Sequence, residues 1–173
     1  MTTLLDALRE QADAESRVSQ ADHLSLRLWL RLLTCTTMIE RRVRERLRER
    51  FDITLARFDL MAQLARTRHG LRMSELSRRL MVTGGNVTGL TDQLVAEGLV
   101  VRREDRSDRR VFTVSLTPKG RRQFDAMAAE HERWIVESLG GLPAGEREAL
   151  YELLGRLKPA LARALDAHGE RAS

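Results

Sequence analysis

Two short helical patterns that lie only three residues apart constrain the fold of this chain more than any other feature. The first pattern covers residues 73–80, and the second opens at Thr83 and is ended by Gly98. Apolar residues recur along one face of the second pattern, at Val87, Leu90, Leu94 and Val95. Because residues 81–83 are long enough only for a tight turn, the sequence predicts a helix-turn-helix.

A charged hairpin is predicted directly after the helix-turn-helix. Residues 99–103 and 111–116 are rich in β-branched side chains and flank the segment Glu-Asp-Arg-Ser-Asp-Arg-Arg. A helix-turn-helix followed by a hairpin forms a winged helix, which we assign to residues 54–116. The predicted fold class is therefore mostly α with a small β-hairpin wing (α+β).

Long amphipathic helices are predicted on both sides of this unit. Residues 22–50 are apolar almost all round, and residues 118–166 form a long helix that breaks at Gly140-Gly141, followed by a last helix with a leucine seam. A helix over residues 22–50 spans roughly 43 Å, which is longer than a compact domain of this chain's size needs. We therefore expect 22–50 and 118–166 to form a helical dimerisation unit, with 1–21 as a mobile arm and 167–173 as a tail.

The charge of the chain indicates a polyanionic partner. Its 30 basic residues, all arginine except Lys119 and Lys158, outnumber 25 acidic ones, and the net charge is +5. Because residues 1–22 carry five acids and two arginines, the rest of the chain is more basic still. Arranged arginines displace counterions from phosphates, so the composition favours nucleic acid as the partner.

Several classes of protein are disfavoured by what the sequence lacks. Cys35 is the single cysteine, which excludes an intrachain disulfide and a cysteine-based zinc site, and the four histidines are widely separated. No nucleophile elbow or glycine-rich phosphate loop is present, so we expect no enzyme, no cofactor and no metal. Acidic residues near the N-terminus argue against a signal peptide, and no apolar run is long enough for a membrane span, which favours a cytoplasmic protein without membrane contact.

The outward residues of the second short helix are the candidate DNA-reading residues. With the apolar face turned inward, the outward set comprises Thr83, Gly85, Asn86, Thr88, Gly89 and Gln93. Asn86 and Gln93 can make the bidentate contact that reads adenine, and the threonines can bind phosphate or touch a thymine methyl group. The glycines cost the helix roughly 1 kcal/mol each, a cost that close approach to the groove would offset. Asp92 on this face is unfavourable near phosphates.

The hairpin tip supplies the second set of candidate DNA contacts, Arg106, Asp108, Arg109 and Arg110. The spacing of Asp108 and Arg110 lets the carboxylate orient the guanidinium, and an oriented arginine suits a narrow minor groove.

Three segments resemble the MarR family of bacterial winged helix-turn-helix transcription regulators. They are Ser-Glu-Leu-Ser-Arg-Arg-Leu (74–80), Asn-Val-Thr-Gly-Leu-Thr-Asp-Gln-Leu-Val-Ala-Glu-Gly-Leu-Val (86–100) and Asp-Arg-Ser-Asp-Arg-Arg-x-Phe-Thr-Val-Ser-Leu-Thr-Pro-Lys-Gly (105–120). The resemblance implies a homodimer on a pseudo-palindromic operator, acting as a repressor, with Asp108 and Arg110 as the family's Asp-x-Arg pair at the wing tip. The chain departs from the family at Arg72, where Thr or Ser is common, and at the glycines of the recognition helix.

The resemblance also implies a small-molecule effector bound between the dimerisation unit and the winged helix. The stretch Gly-Asn-Val-Thr-Gly (85–89) is similar to that of members that sense aromatic acids or their coenzyme A thioesters. Arg27 and Arg31 lie four residues apart on an apolar stretch, where two like charges repel unless an anion joins them. These arginines, with Trp29 for stacking, are the candidate effector site. Acids from neighbouring helices, such as Asp59 or Glu132, are the alternative partners.

Two other functions remain open for this sequence. Cys35 could sense oxidants, although its place between Leu32 and Ile39 favours a packed, inert thiol. A winged helix can also act as a protein-interaction module without reading DNA.

Overall fold

The computed structural model describes residues 24–80, 83–104 and 112–169, with side chains up to residue 164. The helices are Leu24–Phe51 (α1), Leu55–Ala65 (α2), Met73–Leu80 (α3), Gly84–Ala96 (α4), Pro118–Leu139 (α5) and Ala144–Gly169 (α6). The strands are Leu71–Arg72 (β1), Val100–Glu104 (β2) and Phe112–Leu116 (β3), in the sheet order β1-β3-β2 with antiparallel pairing. A mostly helical chain with a small wing sheet confirms the predicted fold class. The predicted arm, 1–21, and the end of the predicted tail lie outside the described residues.

The described chain divides into two compact units, and the division falls inside α5. One unit ends at His131 and the other begins at Glu132. The first contains α1 to α4, the sheet and the N-terminal part of α5, and the second contains the rest of α5 with α6. The predicted grouping of 22–50 with 118–166 concerns contacts between two subunits and stays a prediction.

The sequence predicts Thr54 and Thr117 as helix caps and Gly98 as the end of a helix, and the element boundaries fall at these residues. The Thr54 hydroxyl oxygen accepts a hydrogen bond from the Arg57 amide at 3.4 Å and caps α2. The Thr117 hydroxyl accepts from the Gly120 amide at 3.0 Å and donates to the Gly98 carbonyl at 2.7 Å, which ties the start of α5 to the end of α4. Gly98 adopts a positive φ of 69°, a left-handed conformation that ends the preceding helix.

One local prediction is wrong, and one strand was not predicted. The sequence predicts that the helix after Thr54 runs to His69-Gly70, but it ends at Ala65, whose carbonyl accepts a hydrogen bond from Arg121 Nη1 at 2.9 Å. The sheet has a third strand, β1, which follows Gly70 in a left-handed turn and pairs with β3. A strand of two residues is too short to give an alternating pattern in the sequence.

The core of the first unit joins the winged helix to α1 and α5. Its largest fully buried apolar side chains come from every helix of this unit and from the sheet region: Leu47, Ile53, Leu60, Met61, Leu64, Leu76, Val87, Leu94, Leu99, Val114 and Met127. Gly120 lets α5 approach the strand region closely, since a Cβ atom there would lie 1.9 Å from the Leu99 carbonyl oxygen. The core therefore holds α4 and the hairpin on one framework.

Candidate nucleic-acid interface

Helix α4 packs against α2 and α3 through one buried face and exposes the opposite side. Val87, Thr91 and Leu94 are buried on that face. The sequence analysis missed Thr91, whose hydroxyl donates to the Val87 carbonyl at 2.7 Å and so needs no partner outside the helix. Its position four residues after Val87 and three before Leu94 is the signal that could have found it. Val95, predicted to face inward, is 39% exposed because it lies about 100° past Leu94.

The residues predicted to read DNA on this helix are all exposed. They are Thr83, Gly85, Asn86, Thr88, Gly89 and Gln93. The Thr88 hydroxyl donates to the Gly84 carbonyl at 3.0 Å, which leaves its oxygen lone pairs available to an outside donor. Two exposed amide side chains on the same helix can each donate and accept at a base edge.

The start of α4 is suited to an anion such as a phosphate. Thr83 precedes the helix in an extended conformation, its side chain makes no capping hydrogen bond, and the first turn contains no acidic residue. The first backbone N–H groups of the helix therefore keep their donors for a ligand.

The three glycines of α4 leave open space on the outer surface of the helix. At Gly84, Gly85 and Gly89 a Cβ atom would meet nothing within 4 Å. Each glycine costs the helix about 1 kcal/mol relative to alanine. Packing within the described chain does not require any of them, so the bare backbone is available to a large ligand that approaches closely.

The hairpin base is described, whereas its tip is not. Strand β2 pairs with β3 from Val100 with Leu116 to Glu104 with Phe112. The predicted tip residues Arg106, Asp108, Arg109 and Arg110 lie outside the described residues. Their contacts with DNA stay a prediction.

An ion pair that the sequence analysis did not find joins α4 to the hairpin. Arg102 Nη1 of β2 lies 2.9 Å from Asp92 Oδ1 of α4. Asp92 was expected to oppose phosphate binding, and the structure places a guanidinium on its carboxylate. The spacing of ten residues between the two gives no signal in the sequence, because the contact depends on how the hairpin folds back.

The predicted effector residues lie on α1 and do not share one face. Arg27 is half-buried, and Trp29 and Arg31 are exposed. Arg27 and Arg31 are one turn apart, whereas Trp29 lies roughly 200° round the helix from Arg27. Within one α1 helix the indole therefore lies on a different side from the two arginines, and the stacking role of Trp29 stays a prediction.

A cavity of about 640 Å³ lies between α2, α3 and α5 in the first unit. Its lining includes an aromatic cluster in which Phe58 lies 5.6 Å from Phe124 and 5.1 Å from His131 between ring centroids. Asp59 and Arg121 add charge to the lining. Burial raises the pKa of the Asp59 carboxyl above its ordinary 3.8, helped by Glu40, and burial lowers the pKa of His131 below 6.5.

Cys35 is exposed in the single described chain, so the predicted packing of its thiol is not made within this chain and stays a prediction for the dimer. It belongs to the outward apolar side of α1, which the first unit leaves uncovered. Over the described ranges, no cluster of three histidine, cysteine or acidic side chains could hold a metal ion. None of the described helices is both long and apolar enough to cross a membrane.

Known proteins similar to this chain share both the sequence pattern and the fold. A MarR family model matches residues 51–111. An uncharacterised HTH-type transcriptional regulator of Bacillus cereus (strain ZK / E33L) is 31% identical over 131 residues, which are 75% of this chain and 86% of that protein. The chain is a member of the MarR family.

Solved structures of other family members show that the similarity extends to the fold. The regulator BldR from Sulfolobus solfataricus is 26% identical, with a TM-score of 0.71 and coverage of 84% of this chain and 99% of BldR. The apo form of MarR from Escherichia coli is 27% identical, with a TM-score of 0.67 and coverage of 73% and 93%. This chain is thus a DNA-binding transcriptional regulator of a family whose members act as dimers.

Proposed function

We propose that this member of the MarR family is a repressor that binds a pseudo-palindromic operator as a homodimer, with α4 of each subunit in the major groove. The observation that carries the proposal is the exposed face of α4. It combines an uncapped helix start, two amide side chains and three glycines whose Cβ positions are open. Amides read base edges, backbone N–H groups bind phosphate, and the glycines let the helix approach closely.

Exposed apolar surface on two helices supports the homodimer. On α1, Leu24, Leu28 and Trp29 are 79%, 49% and 57% exposed. On α6, Leu153 and Leu161 are more than half exposed. Apolar surface of this extent marks an interface rather than a solvated face, and a second copy of the chain offers the same surface.

The hairpin tip is proposed to enter the minor groove beside each recognition helix. Arg106, Arg109 and Arg110 would contact the DNA backbone and groove floor, with Asp108 orienting Arg110. The antiparallel pairing of β2 with β3 supports this proposal, because it forms the base of a hairpin that follows α4.

Binding of the purified protein to duplex DNA tests this function. The operator is first selected from a random duplex library, and its affinity is then compared with that of a scrambled duplex of the same composition across a salt series. We expect a preference of at least about 1,000-fold for the selected duplex and a steep fall in affinity with salt. A protein-interaction module without DNA readout would show neither.

The proposed signal is an anionic aromatic molecule, an aromatic acid or its coenzyme A thioester, that releases the repressor. One candidate site is the pair Arg27 and Arg31 on α1, and we propose that the indole of Trp29 is contributed by the other subunit of the homodimer. A 100-fold release requires about 2.7 kcal/mol of differential binding between the free and DNA-bound states. Charge pairing to two guanidinium groups can supply that difference if the ligand contacts them in one state only.

The cavity between α2, α3 and α5 is the second candidate effector site. Its phenylalanine rings suit an aromatic ligand, and Arg66, Arg79 and Arg121 at its wall suit a carboxylate or phosphate. The volume of about 640 Å³ lies within the range of pockets that hold small organic ligands.

Three variants distinguish the two sites in a release experiment with a panel of aromatic acids and their thioesters. Arg31→Ala removes a charge from α1, Ala128→Leu fills the cavity, and Ala129→Leu adds the same bulk at the exposed neighbouring position. Loss of release in Arg31→Ala alone identifies the α1 site, and loss in Ala128→Leu alone identifies the cavity. Equal release from wild type, Arg31→Ala and Ala128→Leu contradicts both sites.

Exposure of Cys35 in the single chain favours a second function, regulation by oxidants, which requires that the thiol stay accessible in the proposed homodimer. Peroxide would oxidise the thiol to a sulfenic acid: one peroxide oxygen bonds to the sulfur as the O–O bond breaks, and the other oxygen leaves as water. Operator affinity is measured before and after peroxide in wild type and Cys35→Ser. A loss of affinity that occurs in wild type alone supports the redox function, and equal affinities exclude it.

A further inference from the structure

The Asp92 and Arg102 pair links the two parts of the proposed DNA-binding surface. Asp92 lies on the exposed side of α4, one position before Gln93, with a side chain that is 57% exposed. Arg102 lies in β2 and is 30% exposed. Nη1 of Arg102 lies 2.9 Å from Asp92 Oδ1, whereas its Nε and Nη2 are buried without a hydrogen-bond partner among the described residues.

The register of the sheet explains why Arg102 points toward the helix. Arg102 pairs with Val114, which is fully buried, and side chains of paired residues lie on the same side of a sheet. The guanidinium is therefore held between β2 and α4, and the chain runs on from Arg102 toward the hairpin tip. Moving β2 along or away from α4 would break the ion pair.

The charges make Asp92 an unusual residue for a surface that meets phosphates. A lone carboxylate on this face would repel DNA, so its presence calls for a compensating role. Removing the Asp92 carboxylate would leave the partly buried Arg102 guanidinium without its counter-charge. The loss of stability is then larger than for a fully exposed ion pair.

We propose that Asp92 is a positioning residue: by holding Arg102, it fixes the hairpin at the spacing from α4 that lets both elements engage one operator half-site. This inference rests on the proposed DNA-binding function and deepens it. Specificity for the operator, rather than general attraction to DNA, is what the ion pair supplies.

The inference makes opposite predictions for specific and non-specific DNA. Asp92→Ala removes a negative charge from the DNA-facing surface, so it should bind a scrambled duplex at least as tightly as wild type. The same variant should bind the selected duplex about tenfold more weakly, because the hairpin loses its fixed spacing. Simple charge removal would strengthen binding to both duplexes.

A double-mutant cycle measures whether the two residues act together. The selected and scrambled duplexes are titrated with wild type, Asp92→Ala, Arg102→Ala and the double variant. We expect the double variant to bind the selected duplex no more weakly than Arg102→Ala. Losses that add in the double variant, or an Asp92→Ala variant that binds the selected duplex as tightly as wild type, would overturn the inference.

Glu75→Gln is the matched control for loss of one negative charge. Glu75 pairs with Arg79 inside α3, at 2.6 Å, and joins no two elements. We expect its ratio of specific to non-specific affinity to equal that of wild type, and an equal fall in both variants would refute a positioning role for Asp92. Where thermal unfolding shows that Asp92→Ala does not fold, Asp92→Asn is judged by the same criteria. If the wild-type protein selects no duplex, both the proposed function and this inference are wrong. If the wild type is selective and Asp92→Ala has the same ratio of specific to non-specific affinity, only the inference is wrong.

Discussion

Glycine has two unrelated roles in this chain, and the space around each residue separates them. At Gly120, the backbone of α5 lies so close to Leu99 that a side chain cannot fit. At Gly84, Gly85 and Gly89, a side chain would meet nothing. The first glycine serves packing, and the other three leave room for a partner.

Gly120→Ala should therefore destabilise the protein strongly. The added Cβ atom would clash with backbone, which cannot move as a flexible side chain does, and we expect a loss of about 3 kcal/mol in the free energy of unfolding. Gly145→Ala, at a helical position with open space, is the control and should be neutral or stabilising by up to about 1 kcal/mol. Chemical denaturation measures both, and a stable Gly120→Ala variant would contradict the close packing of α5.

Asp59 gives the stability a pH dependence of predictable sign. Its pKa is raised in the folded state by burial and by Glu40, so the folded chain binds this proton more tightly than the unfolded chain. The penalty for the buried charge is absent at pH values below the ordinary 3.8 and grows as the pH rises through the folded pKa. Asp59→Asn should be more stable than wild type at pH 7, with a difference that shrinks toward pH 4. A constant difference in unfolding free energy across this range would refute the assignment.

At the scale of elements, the sequence predicts those helix boundaries that depend on interactions between residues close together in the chain. Thr54, Thr117 and Gly98 mark boundaries because their hydrogen bonds and backbone angles involve near neighbours. The end of α2 and the strand β1 are set by contacts from distant segments, which a periodic pattern does not contain. The exposed residues of α4 were predictable from one periodic face, whereas the Asp92 and Arg102 pair required the folded hairpin.

The wing prediction concerns Arg110 and its neighbour Asp108. Arg110→Ala should weaken binding to the selected duplex by roughly 1 to 3 kcal/mol and reduce the salt dependence, without changing the oligomeric state. Arg122→Ala, an exposed arginine of α5, is the control for loss of one positive charge. Operator affinity that is the same in Arg110→Ala and wild type would contradict the minor-groove assignment.

At the scale of the whole molecule, α1 and α6 expose more apolar surface than is usual for a soluble monomer. The leucine seam of α6 was predicted to require a second subunit, and Leu150, Leu153, Leu154 and Leu161 are 40% to 56% exposed in the single chain. The sequence could indicate this interface because its leucines recur with the period of an α-helix. It could not indicate the partner helix, because that contact is made between chains.

Leu157→Arg tests the predicted interface. It would place an unpaired charge in the seam and should dissociate the dimer. Gly155→Arg is the control, since it adds the same charge roughly 200° round α6, where a Cβ atom meets nothing. Analytical ultracentrifugation should find wild type and Gly155→Arg as dimers and Leu157→Arg as a monomer. A folded wild-type monomer at micromolar concentration would contradict the dimer.

Selection of duplexes from a random library by the purified protein tests the central claim most directly. Two α4 helices related by a twofold axis should enrich an inverted repeat whose half-sites lie about 10 to 10.5 base pairs apart from centre to centre. Each enriched duplex should bind two chains. Recovery of unenriched sequence, or of a single half-site without its inverted copy, would contradict a homodimer that reads DNA through α4.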